Sequence, residues 1–398
     1  MQYRTDKKTN TELSVFALGG MRIPKDYATC KQMVLEAHKA GVNYIDTAYI
    51  YSGSEEMYGK VLEETGLRDQ FYIATKLPLV LTKKSEDFDK YFNRQLERLK
   101  TDHIDYYLLH MLVSPEQLVK LQSLGLEEWI AEKRANGQIR RLGFSFHGKQ
   151  EDFLKLLDIR DWDFVQLQYN YSDPNYQAGV AGMKKATELG LPVMVMEPLL
   201  GGRLADSLPA EAQEVFRKAN PERSLASWGF RWLYNQPEVT LCLSGVGKPE
   251  FWRDNIATAN EAFVGMVTPE ERATYDKVVE ILRSKTKVPC TGCAYCMPCP
   301  KGVNIPGCFS AYNARNAISH YTGTQQYMMN AAFMSENYTG AAACIACRKC
   351  ERHCPQNIAI VDELKAVRKT MEPLWWRIAH KAYHGKLVQK MIKIWGGN

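Results

Sequence analysis

The chain has 398 residues, enough for one large domain and a smaller one, and its 45% hydrophobic and 24% charged content is that of a folded globular protein. There is no run of about 18 apolar residues and no apolar signal core between Met1 and Lys8, so neither a membrane span nor a secretory leader is expected, and the expected compartment is the cytoplasm. The net charge of +6 is lopsided: residues 285–398 carry 15 Lys and Arg against 5 Asp and Glu, while residues 1–284 carry 36 against 40. No nucleic-acid-binding motif accompanies the basic part, so nucleic acid is not an expected partner.

In chain order, a hairpin is expected over Tyr3 to Val15, turning near Thr9-Asn10. Strand-like runs follow at about 15–19, 43–48, 71–76, 104–110, 139–145, 163–168, 192–197 and 239–244. Between them lie amphipathic segments such as Cys30-Met33-Val34-Ala37 and Phe88-Tyr91-Phe92-Leu96-Leu99, spaced as helices. Eight such alternations predict an α/β chain with a closed (β/α)8 TIM barrel over residues 1–284. A doubly wound open sheet is the alternative, weakened because no Gly-x-Gly-x-x-Gly turn follows the first strand. Cys30 and Cys242 fall in a helix-like and a strand-like context and read as packing residues.

In a barrel of this kind the chemistry gathers where strands end, at Asp46, Lys76, His110, Ser145, Gln166, Gln168, Glu197 and Ser244-Gly245. Three successive strands end in an ionisable residue, and Tyr51 follows closely in Asp46-Thr47-Ala48-Tyr49-Ile50-Tyr51. A Lys beside a phenol favours phenolate, and an Asp beside that Lys keeps it charged. The expectation is a phenol with a lowered pKa, able to give up a proton near neutral pH.

These residues, in this order, resemble the aldo-keto reductase family across residues 1–284. Asp46, Tyr51, Lys76 and His110 fall on the family's tetrad, with the five-residue offset between Asp and Tyr and with Ser54-Glu55 and Gly59 following. The resemblance implies that Tyr51 protonates a carbonyl oxygen, that Lys76 and Asp46 tune it, that His110 orients the carbonyl, and that NAD(P)H supplies the hydride. It also implies that Ser145 and Gln166 hold the nicotinamide amide, with Gly245 and Asn255 near the far end of the cofactor. Tyr49 has the wrong offset for the acid and reads as packing. Three features depart from the family: Phe146 replaces the Asn that usually follows the Ser, and Met196-Glu197-Pro198-Leu199 replaces the aromatic that stacks on the nicotinamide. The basic pair for a 2′-phosphate reads Gly245 and Phe251, leaving Lys248 or Arg253 to compensate and NAD versus NADP open.

Nine of the 11 cysteines lie between 290 and 354. They form two runs, Cys290-Thr-Gly-Cys293-Ala-Tyr-Cys296-Met-Pro-Cys299-Pro300 and Cys344-Ile-Ala-Cys347-Arg-Lys-Cys350-Glu-Arg-His-Cys354-Pro355. Three cysteines at two-residue gaps wrap three corners of a cubane, and the closing Cys-Pro supplies the fourth ligand of the other cluster. On that pattern two [4Fe-4S] clusters are expected, one on Cys290, Cys293, Cys296 and Cys354, the other on Cys344, Cys347, Cys350 and Cys299. The first run is one residue short before Cys299, which makes Cys308 the substitute ligand, although it reads as a small buried side chain. Zinc is the rival metal and a disulfide framework the rival covalent reading. The segment from about Pro306 to Tyr338 reads helical, so residues 285–398 resemble a helical ferredoxin-type module. The local basic excess then offsets anionic clusters or receives an acidic electron carrier.

Two functions follow. One is an oxidoreductase interconverting a small carbonyl compound and its alcohol, whose clusters exchange electrons with a carrier protein. The alternative is an iron-sulfur electron-transfer or assembly protein with an idle barrel. Hydride moves two electrons and a cluster one, so direct coupling asks for a flavin or a radical. No flavin motif is recognised, and a flavin stays open. The aromatic, basic tail from Leu374 to Trp395 is expected to pack back on its own domain, with a membrane-surface helix as the alternative.

Overall fold

A computed structural model describes residues 1–79, 81–148, 150–175, 177–290, 292, 296–317, 320–328, 338–354 and 358–383. They fall into two compact units, one formed by Met1–Asp206 with Phe216–Tyr275, the other by Ser207–Val215 with the chain from Asp276 onward.

The first unit opens with the expected hairpin, β1 (Tyr3–Asp6) and β2 (Thr11–Ser14). Eight parallel strands then close into a barrel: β3 (Phe16–Gly19), β4 (Tyr44–Asp46), β5 (Tyr72–Leu77), β6 (Ile104–Leu112), β7 (Ile139–Phe146), β8 (Phe164–Gln168), β9 (Val193–Met196) and β10 (Val239–Ser244), with β10 pairing back onto β3. Each lies within two residues of its expected bounds. Around the strands run α1 (Tyr27–Lys39), α2 (Ser54–Thr65), α3 (Glu86–Leu99), α4 (Pro115–Ser123), α5 (Leu126–Ala135), α6 (Gln150–Ile159), α7 (Gly179–Glu188), α9 (Leu225–Tyr234) and α10 (Pro249–Asn260), while the division between the units falls within α8 (Ala210–Ala219) and α11 (Pro269–Lys285).

Local chemistry explains where the helices begin and which face they bury. Asp26 caps α1 by accepting the Thr29 N–H at 2.8 Å, a contact that stabilises a helix by about 1 kcal/mol. Cys30, Met33, Val34 and Ala37 then form its buried stripe. On α3 the stripe is Phe88, Tyr91, Phe92 and Leu99; burying each large apolar side chain contributes about 1.5–3 kcal/mol.

Inside the barrel, Ala17, Tyr44, Ala74, Leu108, Phe164, Met194 and Leu241 pack together with Tyr106 and with Leu13 of the hairpin. The hairpin adds a polar anchor at that end: the buried Asp6 accepts the Tyr106 hydroxyl at 3.1 Å and lies 3.5 Å from Arg141. Side chains along a strand alternate between faces. Two residues beyond the packed Tyr44, Ala74, Leu108 and Phe164, the same inward face therefore presents Asp46, Lys76, His110 and Gln166. Ser145, paired in register with Gln166, joins them.

The second unit is helical, with α12 (Ile305–Ala317), α13 (His320–Tyr327), α14 (Ile360–Met371) and α15 (Trp376–Tyr383). Its core includes Val303, Ile305, Phe309, Tyr327, Leu364, Val367 and Trp376. The expected helix between the cysteine runs is present as α12 and α13, while residues 329–337 lie outside the described ones. In the tail, Trp376 does pack back, its ring 6.0 Å from that of Tyr327, but Leu374, Trp375 and Ile378 are 98%, 59% and 72% exposed. Residues 384–398 lie outside the described ones. Among the described residues no helix is long and apolar enough to cross a membrane.

Candidate active site and cluster loops

The five inward residues at the C-terminal ends of β4 to β8 are all buried. Lys76 donates from Nζ to Asp46 Oδ1 at 2.6 Å and to the Thr47 carbonyl at 2.7 Å. Gln166 donates from Nε2 to the other oxygen, Asp46 Oδ2, at 2.7 Å, so β4 and β8 meet across the barrel through these side chains. Tyr51 lies on the loop between β4 and α2, its N–H bonded to the Ala48 carbonyl at 2.9 Å and its own carbonyl to the Ser54 N–H at 3.0 Å. Its ring centre is 5.1 Å from Lys76 Nζ and 5.9 Å from the His110 ring, the two rings nearly perpendicular at 85°. The four expected tetrad residues are therefore brought together.

Burial, with the nearby Lys76 ammonium and His147, pushes His110 down to about 3, so its ring is neutral at physiological pH and carries one N–H donor. The phenol behaves differently from the sequence expectation. Burial raises the Tyr51 pKa by more than Lys76 lowers it, and Asp46 and Glu197 raise it further. The physical reason is that the ammonium is already paired with Asp46, while the ring has left water. Tyr51 is thus a protonated donor held beside a cation, not a partly ionised phenol.

A second layer of contacts fixes β5, which carries Lys76. The fully buried Glu55 accepts from Thr75 Oγ1 at 2.6 Å, Gln95 Nε2 at 3.0 Å and Arg98 at 3.2 Å. Gln95 also donates to the Lys76 carbonyl at 3.0 Å. Tyr49 packs as expected, edge-on to Tyr91 at 4.9 Å and under Arg98.

At the cofactor positions, Ser145 Oγ accepts the Met111 N–H at 2.9 Å and keeps its own hydrogen for another acceptor; Gln166 uses its amide N–H on Asp46 and keeps its oxygen for a donor. Together they complement a carboxamide, so the residues present fit a nicotinamide. Phe146, next in β7, faces the helix layer, where it packs on Phe153 with centroids 5.0 Å apart. Asn255 on α10 is buried and donates to Ser244 Oγ at 3.1 Å, joining that helix to the end of β10. Gly245 lies so close to the Arg22 backbone that an added Cβ would sit 3.2 Å from its nitrogen. Of the two compensating cations, Arg253 is held by both oxygens of Glu36, at 2.9 and 2.7 Å, while Lys248 lies 5.6 Å from the Phe251 ring.

Sequence reasoning missed three features here. Arg22, in the 3-10 turn Gly20–Arg22 after β3, reaches Glu197, just after β9, at 3.7 Å; a turn of three residues is too short to show a period. The Thr47 carbonyl that receives Lys76 is backbone and leaves no signature in side-chain type. His147, whose pKa burial lowers to about 4, follows β7 directly, and the strand-end rule that found His110 would have found it.

The cysteine loops share one local turn. The amide two residues after the first cysteine of each run donates to its sulfur at 3.4 Å, Gly292 to Cys290 and Ala346 to Cys344, with left-handed backbone at both donors. Cys299, Cys344, Cys347 and Cys350 line one pocket. Among the described residues no three His, Cys, Asp or Glu side chains converge as a single ion requires; a cubane offers a separate iron to each thiolate, so four thiols spaced around a pocket fit it. Cys308 is instead fully buried in the helical core, its thiol 3.7 Å from the Tyr327 hydroxyl. Cys290, Cys296 and Cys354 lie partly buried against the same core, and Cys293 lies outside the described residues.

Comparison with known proteins agrees with both halves of this picture. Residues 15–270 match the aldo/keto reductase family, and residues 289–359 match the 4Fe-4S dicluster domain. Similar curated proteins include the NADH-specific methylglyoxal reductase of Escherichia coli (strain K12), 26% identical over 62% of this chain and 89% of that protein. Another is the aldo-keto reductase YhdN of Bacillus subtilis (strain 168), 26% identical over 63% and 86%. Among solved structures, the holo form of aldo-keto reductase AKR11C1 from Bacillus halodurans is similar with a TM-score of 0.57 at 22% identity, covering 70% of this chain and 96% of that one. An aldo-keto reductase from Klebsiella pneumoniae in complex with NADPH gives a TM-score of 0.57 at 24% identity with the same coverage. An eight-stranded parallel barrel, charged side chains gathered at its C-terminal mouth and a family match spanning most of the barrel have one common explanation: this chain belongs to the aldo/keto reductase family and carries a 4Fe-4S dicluster domain after its barrel.

Proposed function

We propose that the protein reduces a small carbonyl compound, or oxidises the corresponding alcohol, with NAD(P)H in a barrel formed by residues 1–284. Residues 285–398 hold two [4Fe-4S] clusters, on Cys290, Cys293, Cys296 and Cys354 and on Cys344, Cys347, Cys350 and Cys299, that exchange electrons with a carrier protein in the cytoplasm. The observation that carries the reductase reading is the buried Lys76, bonded to Asp46 and Thr47 and 5.1 Å from the Tyr51 ring centre, with the neutral His110 ring 5.9 Å from that of Tyr51.

A bound nicotinamide supplies the hydride. The residues of this chain do the rest: His110 donates a hydrogen bond to the carbonyl oxygen, and Tyr51 Oη gives that oxygen a proton as negative charge develops on it. Lys76 stabilises the phenolate left behind, and Asp46 keeps Lys76 charged and in place. Ser145 and Gln166 orient the carboxamide, while Gly245 and Asn255 shape the β10 end of the site. The name of the Escherichia coli relative, a methylglyoxal reductase, supports a small carbonyl substrate class.

The idle-barrel reading draws on the outward Phe146 and on Asn255, which is engaged with Ser244. Tyr51→Phe separates the two readings, because it removes the proton donor and keeps the ring. Turnover of a panel of small carbonyls should fall about 10²–10⁴-fold. Turnover unchanged by this substitution refutes the reductase reading. Linking hydride to one-electron clusters needs a flavin or a radical relay. Anaerobic titration with NADH and NADPH followed by EPR tests whether hydride donors reach the clusters.

A further inference from the structure

Of the four thiols of the second cluster site, Cys347 is exposed and Cys299, Cys344 and Cys350 are half-buried. From Ile345 through Lys349 every residue is exposed, Cys347 among them, and Pro300 and Lys301, which line the same pocket, are exposed as well. The charges at this rim are mostly of one sign. Arg348 is tied to Glu351 at 2.9 Å and to Asp362 at 3.1 Å, which orders the loop. Lys301, Lys349 and Arg352 have no carboxylate partner among the described residues and face water. If they served only to offset the cluster's own charge, they would be expected to turn toward the sulfurs and be buried.

We propose that this rim is the docking face for a small acidic protein that carries one electron, and that the Cys299, Cys344, Cys347 and Cys350 site is where electrons enter or leave. The inference rests on the proposed electron-transfer role of the clusters and adds which site is used and what kind of partner it receives. The step is a single electron moving from the reduced carrier to the cluster: the carrier is oxidised by one electron and the cluster reduced by one, with no bond made or broken. Such encounters are brief, bury little surface and depend on opposite charge to bring the partners together, which makes their rates sensitive to salt. The exposed Ile345, which lines the same pocket, supplies an apolar contact beside these cations.

The test uses the full-length, cluster-loaded protein under anaerobic stopped-flow, with a photoreduced acidic ferredoxin as probe and a neutral small-molecule mediator as control. The second-order rate constant with the ferredoxin should fall about tenfold or more between low and physiological salt. The double variant Lys301→Glu/Lys349→Glu should lower it by about tenfold at low salt and flatten the salt dependence, while leaving iron content, EPR signal and the rate with the neutral mediator unchanged. Arg352→Glu gives an independent variant should the double one lose iron. A ferredoxin rate insensitive to salt and to both variants overturns the docking face. Equal slowing with the neutral mediator also overturns it, by returning these cations to simple charge compensation. So does loss of binding to anionic lipid vesicles in the same variants with an unchanged ferredoxin rate. Failure of the neutral mediator to reduce any cluster removes the electron-transfer reading itself and is thereby distinguishable.

Discussion

Lys76→Met probes the centre of the site without needing a substrate. The substitution keeps the length of the chain and deletes an ammonium that makes two short hydrogen bonds, to Asp46 at 2.6 Å and to the Thr47 carbonyl at 2.7 Å. Asp46 is 3% exposed and retains only the Gln166 amide among its present side-chain donors. Breaking a buried ion pair by removing one partner costs about 3–5 kcal/mol, because the remaining charge is left without compensation. The surviving Gln166 contact places the expected loss near the lower end, about 3 kcal/mol. For a domain of this size, whose unfolding entropy is about 0.6 kcal/mol/K, that corresponds to roughly 5 °C in Tm. Thermal melting followed by far-ultraviolet circular dichroism reads the barrel, and the visible absorbance of the clusters separately reads the second unit. The companion variant Asp46→Asn/Lys76→Met removes the stranded charge, and the amide oxygen at that position can still accept from Gln166, so most of the loss should be recovered. A single variant that costs less than about 1 kcal/mol, or a double variant no more stable than the single, refutes the account of a desolvated pair held for its charge.

The neutral state of His110 makes a pH prediction. Its pKa, near 6.5 when unfolded and about 3 in the fold, means that the stability it contributes is complete above pH 6.5 and is lost as pH falls toward 3, by about 2 kcal/mol at pH 5. His110→Gln should remove that part of the acid dependence of Tm, and parallel curves for the two proteins would contradict it. Gly59→Ala should destabilise the barrel by about 1–3 kcal/mol in melting experiments, since an added Cβ would sit 2.1 Å from the Arg98 carbonyl oxygen, where α2 and α3 touch. Among the cysteines, Cys299→Ala should reduce the iron content from about eight per chain toward four, while Cys308→Ala should keep the iron and lower only stability. Iron and acid-labile sulfide analysis of anaerobically purified variants checks both, and iron lost with Cys308 instead would exchange their roles.

Much of the fold was legible because the signals that carry it are local. Short strand-like runs marked all eight strands to within two residues, and the stripes Cys30-Met33-Val34-Ala37 and Phe88-Tyr91-Phe92-Leu96-Leu99 marked helix faces that are buried except at Leu96, which is half-buried. The site residues were legible because chemistry in such a barrel gathers where strands end, and in the structure Asp46, Lys76, His110 and Gln166 lie two residues beyond the packed Tyr44, Ala74, Leu108 and Phe164. Arg22 escaped notice because a single 3-10 turn is too short to show a period.

What the amino-acid order determined by itself was the set of candidate groups: Asp46, Lys76 and His110 at the ends of adjacent strands with Tyr51 on the loop after the first, and two cysteine runs whose spacing suits a cubane. Which of them meet, and in what charge state, was decided only by the tertiary structure. Closure of the barrel brings Gln166 of β8 to Asp46 of β4 and removes water from the Tyr51 ring, so the phenol is raised where adjacency to Lys76 alone suggested it would be lowered. In the same way, packing of the helical unit draws Cys308 into the core and leaves Cys299 on the pocket with the second run. Spacing along a chain describes neighbours in sequence, whereas desolvation and pairing depend on which distant segments the fold brings into contact.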